Sequence, residues 1–229
     1  MPGRLITILL TALTMMATTA CSDSGSDVPP RQLCESIVSF AGNSDGRAWF
    51  EYRQIDDSPL ITLSTKGSLE DSRVKPGTRL RMRYTMPTGV DPGKGGEVEV
   101  IGLALTLSDT VKTVGALPDL LQPIELLTLQ RSGDYLNLTA QLPTTGGRKV
   151  TVVTPSTPLP SDGIADLYLS TEIRQSATSY DTQSVASLWI GPVWNRDDVN
   201  GIRVHLNNSN NPYKSEFTYI KTNTNNPNN

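Results

Sequence analysis

One serine lies in a pattern that could support nucleophilic catalysis. Residues 42–46, GNSDG, match the GxSxG motif, and Ser44 followed by an aspartate and then His205 is the residue order of an α/β-hydrolase triad. The motif works where a strand turns sharply into a helix, because that turn exposes the serine. The next residues, RAWFEYRQI, are β-type, so the sequence favours a turn between two strands and predicts no catalytic residue.

Metal-ligating side chains are scarce. The chain has one histidine, His205, and two cysteines, Cys21 and Cys34. Zinc sites need several such ligands close together, so no zinc site is predicted. In the run GIRVHL the histidine alternates with apolar residues, which predicts an exposed position on a half-buried strand.

Two acidic pairs lie in predicted loops, at 56–57 and 197–198. Calcium prefers oxygen ligands, and the segment NRDDVNG around Asp197 and Asp198 offers several of them. The pairs lack EF-hand spacing, and Asp is common in turns because its side chain hydrogen-bonds to the backbone. No metal or cofactor is therefore predicted, and calcium at Asp197 and Asp198 stays an open alternative.

The start of the chain predicts a lipid anchor. Residues 1–20, MPGRLITILLTALTMMATTA, combine one basic residue, an apolar run and small residues directly before Cys21. This pattern is typical of a lipoprotein signal peptide that is cut before the cysteine, which then carries acyl chains such as palmitate. The apolar run is too short for a spanning helix. The alternative is ordinary cleavage, which leaves Cys21 a plain thiol.

Lipid on Cys21 leaves Cys34 without a disulfide partner in the chain. Cys34 lies in the run LCESIVSF, which reads as the start of a strand. A free cysteine in such a run is predicted to be a small buried apolar residue rather than a reactive thiol.

Composition indicates an all-β protein. The formal net charge is −3, which argues against the basic surface that nucleic-acid binding requires. The chain contains 18 Gly and 16 Pro with 37% hydrophobic residues, a turn-rich composition that still allows a core. Short alternating runs predict most of the strands, at 48–55, 59–64, 79–84, 97–107, 134–142, 149–154, 164–173, 184–190, 200–206 and 215–221.

These runs group into two domains. After the signal peptide, the predicted order is a flexible tether at 21–33, a small OB-like β-barrel at 34–115, an inter-domain linker at 116–132, an antiparallel immunoglobulin-like β-sandwich at 133–222, and a disordered tail at 223–229. The linker assignment depends on Pro118 and Pro123, which break a Leu-rich segment.

Three segments resemble the NigD-like lipoproteins of Bacteroidetes: AWFEYRQIDDSPLITL, YLNLTAQLP and GIRVHLNNSNNPYKSEFTYIK. The resemblance covers most of the mature chain. It implies an OB-type barrel before a β-sandwich, and a lipid-anchored position in the cell envelope, at the outer membrane. The family takes its name from an operon tied to a bacteriocin, which implies an immunity-like role.

An arginine row is the first candidate ligand surface. Arg79, Arg81 and Arg83 alternate in RLRMRY, and OB barrels bind oligonucleotides or oligosaccharides on such a face, with Trp49 and Tyr84 as the aromatic candidates. The favoured alternative is that two glutamates of the next strand, at 97 and 99, neutralise the row through cross-strand pairs.

Two tryptophans form the second candidate. Trp189 and Trp194 flank Gly191-Pro192, and exposed aromatic rings there could stack on a sugar or anchor a protein. The favoured alternative places Trp189 in the core and Trp194 partly over the end of the sandwich.

The sequence therefore predicts a non-enzymatic, lipid-anchored envelope protein that binds a protein or a glycan, with the loops at 88–96 and 191–200 as contact surfaces. A structural spacer without a ligand and a serine hydrolase using Ser44 are the alternatives. The partner, the oligomeric state and the face of the membrane that displays the domains stay open.

Overall fold

The computed structural model describes residues 30–117, 121–143, 148–173 and 181–222. The predicted signal peptide, Cys21 and the predicted tail at 223–229 lie outside these ranges. Within them, no helix is long and apolar enough to span a bilayer.

The first half of the chain forms one six-stranded sheet, here called the N-terminal sheet. Its strands have the order β5-β3-β2-β1-β4-β6 and are β1 (Arg31–Ser44), β2 (Arg47–Tyr52), β3 (Ile61–Ser64), β4 (Arg79–Pro87), β5 (Gly96–Glu97) and β6 (Glu99–Leu105). The long strand β1 pairs with both β2 and β4. Its register shifts between Phe40 and Gly42, where an extra residue bends the strand and lets the sheet curl.

Strict alternation puts the apolar side chains of this sheet on one face. In β4, for example, Leu80, Met82 and Tyr84 are buried, as the sequence predicts. Nearly all buried apolar residues of this half come from the strands of this one sheet. The sheet therefore covers its own apolar face by curling, which gives the barrel-like arrangement.

The second half is a sandwich of two five-stranded sheets. The first has the order β15-β9-β10-β13-β7 and the second β16-β14-β12-β11-β8. The strands are β7 (Leu107–Thr110), β8 (Lys112–Val114), β9 (Pro123–Ser132), β10 (Tyr135–Pro143), β11 (Arg148–Pro155), β12 (Ile164–Ile173), β13 (Asp181–Trp189), β14 (Gly201–His205), β15 (Asn207–Asn208) and β16 (Glu216–Ile220). A one-turn helix, α1 (Gly191–Trp194), follows β13. The chain is thus all-β, as predicted.

The sandwich is mixed rather than purely antiparallel. Strands β7 and β8 run parallel to β13 and β11, and β12 runs parallel to β14. The short strands β7 and β8 follow each other with only Val111 between them, yet they join opposite sheets. This switch between sheets brings in parallel pairs that an order of simple hairpins would not contain.

Three predicted boundaries change. β1 begins at Arg31, inside the predicted tether, and residues 107–114 belong to the sandwich rather than to the barrel. The predicted linker at 116–132 contains the ten-residue strand β9. Pro123 is the first residue of β9, where the missing N–H is tolerated, and Ile124 and Leu126 then alternate into the sandwich core.

Candidate functional site

Arg131, the penultimate residue of β9, joins the sandwich to a loop of the N-terminal half. Its Nη1 and Nη2 donate to Asp57 Oδ1 and Oδ2 at 2.8 and 2.7 Å. Its Nε lies 3.4 Å from Asp56 Oδ1, and its guanidinium stacks 4.1 Å from the centre of the Trp194 ring. Hydrogen bonds from Arg131 lower the pKa of Asp57 below its usual value. We call this group the Arg131 latch.

The backbone reinforces the latch. Asp56 has a positive φ of 44°, which turns its amide toward the sandwich. Its N–H donates to the Arg131 carbonyl at 2.9 Å, and the Gly133 N–H donates to the Asp56 carbonyl at 2.7 Å. The acidic pair at 56–57 is therefore the counter-charge of a buried arginine, and the calcium alternative has no support there.

Arg79, the first residue of β4, makes the second connection, and no carboxylate of the described residues takes part in it. Nε donates to Ser187 Oγ and Nη1 to Ser39 Oγ, both at 2.9 Å. Nη2 reaches Asn137 Oδ1 at 3.3 Å, and the guanidinium lies 4.2 Å from the centre of the Tyr135 ring. All these partners are neutral.

The missing counter-charge has an electrostatic consequence. Arg79 is only 6% exposed. Burial lowers its pKa to about 10, while the nearby Tyr135 acts in the opposite direction. The guanidinium stays charged at neutral pH, as a buried cation with dipolar but no anionic neighbours within the described residues.

A cleft of about 500 Å³ opens beside Arg79, between the two halves. One wall is the outer face of the first sandwich sheet, where the register aligns Tyr135 with Trp189 on neighbouring strands and Ser187 with Ser108. The other wall comes from the N-terminal half and includes Gly77, Thr78, Leu105 and Thr106. We call this space the Trp189 cleft.

Trp189 is 42% exposed, and Trp194 is 5% exposed. The favoured sequence interpretation is wrong for Trp189, which lies at the cleft and not in the core. Trp194 follows the end of β13 and packs into the sandwich cluster, where it is more deeply buried than expected. Along β13, Trp189 shares a face with Ser187, whereas Leu188 points into the core. A Cβ on Gly191 would lie 2.6 Å from Trp189 Nε1, so only glycine leaves room for the indole in this position.

The Trp189 cleft combines an exposed aromatic ring with several hydroxyl-bearing residues. An exposed indole gives a flat apolar surface for the C–H face of a pyranose ring. Hydroxyl groups of Thr78, Ser108, Thr110 and Tyr135 line the same space and can both donate and accept hydrogen bonds. The volume falls within the range of small-molecule sites.

The rest of the predicted arginine row does not join the cleft. Arg81 donates from Nε and Nη2 to Glu35 on β1 at 2.8 and 3.0 Å, and Arg83 lies 3.9 Å from the same carboxylate. The predicted glutamate partners were wrong, since Glu97 pairs with Arg47 and Glu99 with Arg31. Arg81 and Arg83 are therefore paired with a carboxylate, as favoured, but with Glu35 of β1 rather than with the following strand, and Arg79 has no such partner among the described residues.

The aromatic candidates of that row also differ from expectation. The Tyr84 side chain is fully buried, and its hydroxyl lies 3.5 Å from Tyr52 Oη and 3.3 Å from Ser36 Oγ. Trp49 is half-buried on β2, and its Nε1 is buried without a hydrogen-bond partner. The Tyr84 ring therefore gives no stacking platform, and the Trp49 ring is only partly exposed, on the face of β2 opposite to the core.

A second cleft, also about 500 Å³, lies between the halves near these tyrosines. Cys34 lines it as a free, half-buried residue that also packs against the apolar core. The cleft is also lined by Gln54 of the N-terminal half and by Gln130 and Asn137 of the sandwich. The rings of Tyr52 and Tyr84 are turned into the core, so this cleft lacks the exposed aromatic surface of the Trp189 cleft.

His205 does not lie free on its strand. Its Nε2 lies 2.7 Å from Asp166 Oδ1, its Nδ1 lies 3.6 Å from Glu216 Oε2, and the ring stacks on Tyr168 at 4.7 Å between centres. The prediction of an exposed residue was therefore only partly right. No group of three metal-ligating side chains occurs among the residues that the structure describes.

The remaining candidate residues lie in simple local structures. Ser44 ends β1, and a two-residue turn, Asp45-Gly46 with positive φ at both positions, leads directly into β2. This is a β-hairpin and not a strand-to-helix elbow. Asp198 accepts two hydrogen bonds from Arg196 at 2.6 and 3.0 Å, so this carboxylate already has a cationic partner.

The fold resembles those of several solved structures at low sequence identity. A protein of unknown function from Bacteroides vulgatus is 17% identical with a TM-score of 0.61, over 83% of this chain and 90% of that one. A NigD-like immunity protein from Bacteroides caccae is 16% identical with a TM-score of 0.53, over 82% and 97%. A candidate lipoprotein from Bacteroides fragilis is 12% identical with a TM-score of 0.54, over 83% and 96%.

These neighbours confirm the two-part fold implied by the NigD-like resemblance. No protein-family model matches the chain, and no curated protein matches it.

Proposed function

We propose that the protein is a non-enzymatic binding module of the cell envelope, held to a membrane by lipid on Cys21, and that it takes a glycan in the Trp189 cleft. The observation that carries the proposal is the exposed indole of Trp189 in a cleft rich in hydroxyl groups. A glycan fits this surface better than a protein, because the cleft is small and concave rather than broad and apolar.

The anchor rests on the signal pattern before Cys21 and agrees with the lipoprotein among the structural neighbours. Replacing Cys21 with Ser should move the protein from the membrane pellet to the soluble envelope fraction. Membrane retention of the Ser variant would contradict the anchor. It would leave the binding site untouched, since Cys21 precedes the described residues.

Binding is tested on the soluble chain from residue 22 onward, using arrays of envelope-derived oligosaccharides and calorimetry of the hits. The Trp189→Ala variant should lose about five- to 150-fold in affinity, because stacking on an aromatic side chain contributes about 1 to 3 kcal/mol. Tyr213→Ala is the matched control, since Tyr213 is fully exposed and lies outside the cleft lining. Blank arrays, or equal effects of the two variants, would overturn the glycan site.

The three alternative functions, an immunity-like role, a structural spacer and a serine hydrolase, predict different experimental results. An immunity-like role, suggested by the NigD-like neighbour, would show as a stoichiometric protein partner in pull-downs from solubilised envelopes. A spacer would show neither glycan nor protein. A serine hydrolase would be labelled by a fluorophosphonate probe in the wild type and not in Ser44→Ala.

A further inference from the structure

Within the proposed glycan function, we propose that the ligand of the Trp189 cleft is an acidic saccharide, whose carboxylate lies against Arg79 while its ring lies on Trp189. The inference rests on the proposed function and deepens it. It depends on the contrast between a buried arginine that has no anionic partner and the neutral groups that surround it.

The charge of Arg79 is not balanced from within the described part of the chain. Every carboxylate there lies more than 4 Å from its guanidinium, while its hydrogen bonds go to Ser39, Ser187, Asn137 and the Ile37 carbonyl. The guanidinium has five N–H groups, and the bonds at Nη2 are long, at 3.3 and 3.5 Å. Donor capacity therefore remains for a planar anion, and a carboxylate matches the guanidinium fork.

The spacing suits one sugar residue. Arg79 donates to Ser187 Oγ, and Trp189 lies two residues further along β13 on the same face. Two residues of a strand span about 6.6 Å. This is close to the distance from the centre of a hexuronic acid ring, through its C5 carboxylate, to a guanidinium nitrogen that donates to that carboxylate at about 2.8 Å. Tyr135 pairs with Trp189 in register and carries the guanidinium on its ring, which fixes the cation beside the indole.

One carboxylate, that of Asp109, belongs to the cleft lining. Asp109 pairs in register with Leu188, a core residue, so its side chain lies on the interior side of the sheet rather than on the wall with Ser187 and Trp189. Lys112 Nζ donates to its Oδ1 at 2.9 Å. Lys112 therefore balances one oxygen of Asp109, and the other, Oδ2, is buried with no hydrogen-bond partner among the described residues. The alternation of β7 turns this side chain away from the position proposed for the ligand.

The test uses uronic-acid oligosaccharides together with the same oligosaccharides after reduction of each carboxylate to a hydroxymethyl group. Calorimetry on the wild type should give a Kd at least about tenfold lower for the acidic member of a pair. The preference should shrink with added salt. Arg79→Met should abolish the preference for the acidic member of each pair, and Arg79→Lys should retain part of that preference. Circular dichroism confirms that each variant folds.

The outcomes separate this inference from the proposed function. Equal binding of acidic and reduced members, with loss in Trp189→Ala, would keep the glycan site and overturn the acidic ligand. A preference for acidic members that persists in Arg79→Met would also overturn it, because another cation would then be responsible. Failure of every oligosaccharide to bind would overturn both.

Discussion

Arg79 and Arg131 are two buried arginines at the same boundary between the N-terminal sheet and the sandwich, yet they are balanced in opposite ways. Arg131 has two carboxylates and an aromatic ring, whereas Arg79 has an aromatic ring and only neutral acceptors. A buried cation with counter-ions stabilises the docking of the two halves. One without them costs free energy, and that cost falls when an anion binds.

The largest expected effect comes from replacing each arginine with methionine, which keeps an unbranched apolar stem and removes the guanidinium. Arg131→Met removes charge-assisted hydrogen bonds and a stacked cation, and should lower the free energy of unfolding by about 3 kcal/mol. Arg79→Met loses neutral hydrogen bonds but also removes an unpaired charge, and should cost only about 1 kcal/mol.

The groups that each arginine leaves behind also differ. Ser187 Oγ and Asn137 Oδ1 lie 2.7 Å apart and stay hydrogen-bonded to each other without Arg79, whereas Asp56 and Asp57 lose their cation without Arg131. Urea unfolding followed by fluorescence and by circular dichroism measures both losses. In Arg131→Met the two probes should separate, since the halves unfold less cooperatively. Equal losses for the two variants would contradict the assigned roles.

The next effect is a pH dependence that belongs to the Arg131 latch alone. The folded-state pKa of Asp57 lies below its unfolded value because Arg131 donates to it. A lowered carboxylate pKa contributes stability above about pH 4, and that contribution is lost as the pH falls through the folded-state value. The stability difference between the wild type and Asp57→Asn should therefore shrink as the pH falls from about 5 through the lowered pKa of Asp57.

Asp71→Asn is the control for this titration. Asp71 pairs with Arg73 only two residues away, and hydrogen bonds from Arg73 lower its pKa to about 2. Such a local pair can also form in the unfolded chain and links no separate parts of the fold, so it contributes little to the free energy of unfolding. Its effect on the urea midpoint should be small at every pH. If Asp71→Asn and Asp57→Asn gave the same pH profile, the latch would be no more than a surface ion pair.

The sequence predicts the elements well and their mutual contacts poorly. Alternation in IADLYLSTEI predicts the bounds of β12, and RLRMRY predicts the buried residues of β4. Both patterns are local, because a strand exposes every second side chain. The same alternation places Arg79 on the outer face, and only the docked sandwich makes that face an interface.

The site shows the same limit. Trp189 and Trp194 are five residues apart, yet the first is exposed and the second is buried. The difference arises from the turn of α1, which places the Trp194 ring against the guanidinium of Arg131. The link between Asp57 and Arg131 crosses 74 positions of the chain, and neither residue has a local signal that names the other. The one available cue to this link is an arginine at the end of an apolar strand. If the neighbours of such an arginine are buried, the arginine is buried too and needs a carboxylate partner.

The smallest expected effect concerns the position of the Trp189 ring beside Arg79 in the proposed ligand cleft. In Gly191→Ala the new Cβ would approach Trp189 Nε1 to 2.6 Å, so the indole must rotate toward solvent, where it has room. An off-rotamer shift costs about 0.5 to 1.5 kcal/mol, and release into solvent keeps the loss of stability near the lower value. The NMR signal of the Trp189 indole N–H should shift while the core signals stay in place.

In Gly67→Ala, where no atom lies within 4 Å of the added Cβ, the signal should not move. An unchanged indole signal in Gly191→Ala would mean that the glycine does not set the position of the ring. Pairing Trp189 with Arg79 as one sugar-sized site would then lose its structural basis, while the Arg131 latch would stand.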